Sequence, residues 1–172
     1  AGYLQAAYGC LLQAGAEDLP EFFVEKAKWL WEKGENESAM SCLEKGITRH
    51  FSPPSQFQQD SADQTKKRVY AQALLLYGRY SEQTSSLESN AIVKRYKDVI
   101  EVCEDWEDGH FHLAQYYDRV MTIMTERERP GNQADFIWMI VKLFGNALIY
   151  GNQYIYQAMP RLLSLWLDFG AS

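Results

Sequence analysis

His110 and His112 follow directly on Glu104, Asp105, Glu107 and Asp108, and nowhere else in the chain do side chains of this kind crowd so closely. Imidazole and carboxylate are the groups that hold zinc or move protons near neutral pH. The spacing argues against a shared ion. On a helix, residues two apart point in well-separated directions, so the two imidazoles could not ligate one metal. A row of carboxylates belongs more simply to a helix N-terminus, where it meets the positive end of the helix dipole. No GxSxG, HExxH or GxxxxGK-S/T pattern occurs, and no kinase glycine loop or HRD pattern. The residues therefore imply no catalytic, cofactor-binding or metal-binding set.

The remaining reactive groups are sparse. Cys10, Cys42 and Cys103 are odd in number, far apart and without a CxxC, which excludes a disulfide framework or a zinc site. They read as buried free thiols in a reducing compartment. Asn36-Glu37-Ser38 matches a glycosylation sequon, but no basic-then-apolar leader would route it to glycosylation. Ser52-Pro53 and Ser55-Gln56 could accept a phosphate, as many dipeptides of this kind could. A net charge of −6 argues against direct nucleic-acid binding, since phosphate recognition concentrates Lys and Arg. The one dense basic run, Lys66-Lys67-Arg68, reads as a solvated helix face. No apolar run approaches the roughly 20 residues that cross a bilayer, so no membrane role is expected.

What must position any functional surface is a set of helices. With 47% apolar and 14% aromatic content, the 172 residues can bury a sizeable core. Tyr3 to Ala14 carries one apolar stripe. Pro20 suits a first helical turn, after which Phe23, Ala27, Leu30 and Trp31 recur at three- and four-residue steps up to Gly34. Ala39, Leu43 and Ile47 form an answering face. Residues 52–64 read as a loop, and a fourth helix is expected to end at Gly78, followed by a short helix from Tyr80 and a longer one to about Cys103. Trp106 to Met124, Gln133 to Ile149 and Asn152 to Phe169 complete the series, with Pro160 expected to bend the last. No alternating strand pattern is present. The fold class is all-α, an irregular helical-repeat (tetratricopeptide/HEAT-like) α-solenoid of about eight or nine helices.

One window supports the repeat reading directly. Tetratricopeptide repeats run about 34 residues, with large residues, small residues where two helices touch, and a glycine between them. Residues 20–51 place Phe23 at the large position and Ala27 at the first small contact. Leu30 takes the next large place, Gly34 the turn, Ala39 the second small contact, Leu43 a large place and Gly46 the last small one. Small residues there let helix axes approach, and large ones fill the grooves. A second copy through Ala71, Leu74 and Gly78 is partial, because Gln83 and Asn90 miss the small contacts. Residues 65–172 read as further helical pairs of the same single domain, 1–172, which looks like an excised segment.

From Glu88 onward the residues carry a family resemblance. Glu88-Ser89-Asn90-Ala91-Ile92, Lys94-Arg95-Tyr96-Lys97-Asp98 and Trp106-Glu107-Asp108-Gly109-His110-Phe111 resemble the FAT domain of the phosphatidylinositol-kinase-related protein kinases. So do Tyr150-Gly151-Asn152-Gln153-Tyr154-Ile155-Tyr156-Gln157, Met159-Pro160-Arg161-Leu162 and Leu165-Trp166-Leu167-Asp168-Phe169-Gly170, and upstream Ala27-Lys28-Trp29-Leu30-Trp31. The likeness lapses in Phe51 to Lys67. It implies a helical solenoid that wraps a C-terminal Ser/Thr kinase domain. By that resemblance the partners are the chain's own kinase domain, neighbouring solenoid helices, a dedicated partner subunit and a homodimer mate. The location is nuclear, and the ATP and Mg belong to the parent kinase rather than to this segment. The runner-up reading is a stand-alone tetratricopeptide-like adaptor that grips a peptide; only one regular repeat disfavours it.

The residues add one surface. Phe136, Met139, Ile140, Leu143, Phe144, Ala147 and Leu148 leave one late helix apolar over more than half its circumference. Tyr154, Ala158, Leu162, Leu165, Trp166 and Phe169 do much the same for the next. Helices this apolar need cover on two sides. Leu162, Leu165, Trp166 and Phe169 are accordingly expected at an interface with following helices or a partner chain.

Overall fold

The computed structural model describes residues 3, 6–7, 9–10, 20–51, 64–84, 88–121 and 133–170, and for 121, 133, 169 and 170 it describes the backbone alone. Among the described residues there are seven α-helices, a closing π-helical turn and no strand. They are α1 (Pro20–Glu32), α2 (Asn36–Phe51), α3 (Gln64–Thr84), α4 (Ser89–Val102), α5 (Glu107–Met121), α6 (Gln133–Tyr150) and α7 (Ile155–Leu165), with the π-turn at Trp166–Gly170. The all-α expectation holds. Of the stretch read as a first helix, residues 3, 6–7 and 9–10 are helical and the rest lies outside the described residues. The 52–64 loop lies outside them too, except for Gln64, which opens α3.

The chain divides into two compact units, residues 1–102 and 103–172. In the first, α1 packs on α2, α2 on α3 and α3 on α4, with α1 also reaching α3. In the second, α5 packs on α6 and α6 on α7. Packing mainly between sequence neighbours is how a helical repeat buries faces that no single hairpin could cover alone.

The α1–α2 junction shows how local chemistry sets the first unit. Gly34 adopts φ 85°, its N–H donates to the Trp31 carbonyl, and the Glu35 N–H donates to that of Leu30. This paired closure of a helix end needs a left-handed residue that only glycine adopts without strain. The reversal lays α2 along α1, with Phe23, Ala27, Leu30, Ala39 and Leu43 all buried. Gly46 faces the Phe23 ring so closely that a Cβ there would overlap it. The face continues outward as Phe51 stacks on Tyr70 of α3 (4.7 Å) and Trp31 on Tyr80 (3.9 Å, rings 3° from parallel).

Gly78 corrects an expectation. It does not end the fourth helix; α3 runs through it to Thr84 and absorbs the short helix expected from Tyr80. The physical reason lies across the interface. Tyr96 of α4 sits 3.1 Å from where a Gly78 Cβ would be, and its hydroxyl donates to Glu82 Oε2 at 2.8 Å. The glycine therefore serves close approach, while Ser81 back-bonds to the Tyr77 carbonyl at 2.6 Å and keeps its hydroxyl satisfied in the core.

Candidate functional site

The acidic–histidine cluster lies where α5 begins. Glu107 and Asp108 occupy its first turn, placing carboxylates at the positive end of the helix. His110 is buried at 3% exposure, and its Nε2 lies 2.7 Å from the Glu104 carbonyl. A carbonyl only accepts, so Nε2 carries the proton. The other ring nitrogen, Nδ1, is buried without a hydrogen-bond partner among the described residues, and the ring stacks on Tyr150 (5.1 Å). His112 instead meets the edge of Tyr154 at 5.9 Å. Among the described residues no three His, Cys, Asp or Glu side chains gather as a metal-binding group. The cluster's partners are the end of α6 and the start of α7.

Two further contacts tie α5 to the end of the unit. The Gln153 N–H, in the elbow between α6 and α7, donates to Glu107 Oε2 at 3.1 Å. Beyond it, Arg161 of α7 grips Asp118 of α5 with two parallel bonds, Nε to Oδ2 and Nη2 to Oδ1, both 2.8 Å. Its Nη1 also donates to Ser164 Oγ at 3.3 Å. A bidentate guanidinium–carboxylate pair fixes orientation as well as distance. The hydrogen bonds that Asp118 accepts hold the Arg161 proton even more firmly than usual. Between these clasps Phe111 and Tyr154 stack at 3.8 Å, 5° from parallel.

On its outer side α7 is apolar. Leu163 (57%) on α7 and Trp166 (56%) and Leu167 (75%) on the π-turn that follows are exposed, and Tyr156 and Met159 extend the same stripe. Of the four residues expected at an interface, Trp166 is exposed, Leu162 is half-buried, and the side chain of Phe169 lies outside the described residues. Leu165 is corrected: at 1% exposure it belongs to the core. It stands seven residues from buried Ala158, two turns along the same face, so it points inward while 163, 166 and 167 point out.

In the first unit a groove of about 650 Å³ runs along α1 and α2, lined by Phe23, Leu30, Ser41, Cys42, Lys45 and Arg49 among others. Cys42 donates to the Phe23 carbonyl at 3.4 Å. Burial pushes its thiol pKa up, and Lys26 and Lys45 offset this only in part. That is the reverse of an activated nucleophile. None of the three cysteines is in a disulfide, but only Cys103 is buried; Cys42 is half-buried and Cys10 exposed, which corrects the expectation of three buried thiols.

The family model of the FAT domain matches residues 1–164. The chain belongs to the FAT-domain family. It is 31% identical over 171 residues to the serine/threonine-protein kinase ATR of Drosophila melanogaster, covering 98% of this chain and 7% of that protein. It is 27% identical to protein kinase rad3 of Schizosaccharomyces pombe, covering 99% of this chain and 8% of the relative. Against the serine/threonine-protein kinase ATR of Arabidopsis thaliana identity is 26%, with the same coverage. The chain thus spans less than a tenth of the length of these relatives.

For this FAT chain the candidate functional feature is a surface with its supports, and among the described residues no helix is long and apolar enough to cross a membrane. Sequence reasoning missed both clasps. Asp118 and Arg161 lie far apart in the chain, and each alone resembles any charged residue on a helix. In the sequence Gly151 marks only the break between the last two helices; that it makes room for a carboxylate has no local signal.

Proposed function

We propose that this FAT chain is a helical scaffold segment of an ATR-like Ser/Thr protein kinase in the DNA-damage and replication-stress checkpoint. It supports and regulates the kinase domain and the assembly of the complex. The observation that carries this reading is similarity over 98–99% of the chain to the protein kinases named ATR and rad3, together with the FAT family-model match. The partners would be its own kinase domain, neighbouring solenoid helices, an ATRIP-type partner subunit and a homodimer mate. The setting would be the reducing interior of the nucleus. The segment itself would be catalytically inert and hold no cofactor, the ATP and Mg being bound by the parent's kinase domain.

Physically, such a segment acts through shape. Helices clasped to one another transmit displacement better than helices held by loops, and an exposed apolar stripe is where the next element docks. Leu163, Trp166 and Leu167, with half-buried Leu162 behind them, form that docking surface. Trp166→Glu in the full-length protein should lower kinase activity or weaken complex assembly while nucleotide affinity stays unchanged. The chain alone should show no saturable ATP binding in calorimetry. A fully active, fully assembled Trp166→Glu protein would remove the docking surface from this reading, and saturable ATP binding by the chain alone would end the scaffold reading.

The groove along α1 and α2 favours a second reading, a stand-alone tetratricopeptide-like adaptor. An adaptor would bind its peptide as this chain alone, and Lys45→Glu would abolish that binding without touching any kinase.

A further inference from the structure

We propose that Glu107 is a latch on the elbow between α6 and α7, and that Gly151 is glycine in order to admit it. The elbow is short, running from Gly151 to Tyr154, and α7 begins at Ile155. Glu107 reaches it from the first turn of α5 and accepts the Gln153 N–H. An ideal Cβ built on Gly151 falls onto the Glu107 carboxylate, with both oxygens and the carboxyl carbon as its nearest neighbours.

Gly151 is not required by its own backbone. Among the described residues Gly34 is the glycine with positive φ, so Gly151 occupies a conformation that any L-residue adopts. A side chain there would be met not by backbone but by the Glu107 carboxylate, the far end of a flexible side chain, which it would push aside. The group that would be displaced is also the group that bonds the next turn of the elbow. Steric room and hydrogen bond are therefore two sides of one device.

Other contacts meet at the same place but do different work. His110 stacks on Tyr150 before the elbow, and Phe111 stacks on Tyr154 after it. These rings restrain the elbow's flanks, while Glu107 holds a backbone amide between them. Freed of the carboxylate, the elbow loses that fixed point, and α7 is left to its Arg161–Asp118 clasp and its apolar contacts. The latch thus decides how firmly the outer stripe of α7 is presented.

The test is hydrogen-exchange mass spectrometry on the full-length protein, following peptides across 149–158. Glu107→Ala should raise elbow exchange roughly tenfold, the size expected for losing a charge-assisted hydrogen bond. Gly151→Ala should do the same by expelling the carboxylate. The double variant should exchange no faster than Glu107→Ala alone, because the added methyl then has nothing to displace. Glu107→Gln keeps an acceptor oxygen and should retain at least half of the protection. Wild-type exchange in Gly151→Ala would overturn the latch, as would additive effects in the double variant or a Gln variant that behaves like Ala. A rise of equal size in peptides of α5 and α6 would also overturn it, since Glu107 would then be holding up the whole unit.

Discussion

Where α2 lies along α1, a glycine meets an aromatic ring, Gly46 facing Phe23, with Ala27 and Ala39 fully buried. Where α5 meets the α6–α7 elbow and α7, a glycine meets a carboxylate, Gly151 facing Glu107, with Asp118 gripping Arg161 on α7. Both regions use small residues to bring backbones together. They differ in what fills the space. An apolar filling is non-directional and tolerates some sliding, whereas a carboxylate bonded to an amide or a guanidinium sets both distance and angle. The hairpin is therefore a packing unit, and the end of the chain is an orienting one. The difference matters because the exposed stripe of Leu163, Trp166 and Leu167 sits on the oriented part.

The largest effect that would break this comparison is expected in the hairpin. Ala39 is wholly buried, so Ala39→Trp should overpack α1 against α2 and destabilise by about 3 kcal/mol. An unchanged melting temperature by circular dichroism would show that the hairpin is not close-packed. Next in size is the clasp. Asp118→Ala strips Arg161 of its bidentate partner and should cost about 1–3 kcal/mol. The cost should shrink in high salt, where Ala39→Trp is unaffected. A cost independent of salt would mean that Asp118 acts through packing, and the contrast between the regions would fail.

The smallest effect sharpens the comparison through pH. Tyr80, stacked on Trp31, has its pKa pushed up to about 12 from 10.0, chiefly by burial, with Glu32 and Glu25 adding to it and Arg79 opposing. In the unfolded chain the phenol loses its proton near 10; in the folded chain it holds it to about 12. Its contribution is therefore fully present below pH 10 and is lost as pH rises toward 12, by roughly 1–2 kcal/mol. Denaturant titrations between pH 9 and 12 should show a shallower decline for Tyr80→Phe than for the parent. Parallel declines would place Tyr80 in a wetter environment than its burial implies.

Much of the fold was legible because it is written in local terms. The three- and four-residue recurrence of Phe23, Ala27 and Leu30 is a property of one helix, and Gly34 as a left-handed stop needs only its neighbours. The FAT resemblance was legible for the same reason, since it rests on contiguous runs such as Trp106 to Phe111 and Tyr150 to Gln157. Gly78 shows where local reading fails: the same residue type that stops α1 runs through α3, because Tyr96 from another helix takes the space. Leu165 shows a second failure, of a different kind. Apolar content alone marks the last helix as needing cover on two sides, but it cannot assign each leucine to a side.

By itself, then, the amino-acid sequence determined the helices, their capping glycine, the all-α class and the family, because periodicity, turn chemistry and contiguous motifs act over a few residues. Only the tertiary structure decided that the acidic–histidine cluster serves the α6–α7 elbow, that Asp118 holds Arg161, and that Leu165 faces inward while Trp166 faces out. Those facts depend on which residues distant in the chain share a few ångströms of space, and a side chain's partner across a helix interface leaves no mark on its own sequence neighbourhood.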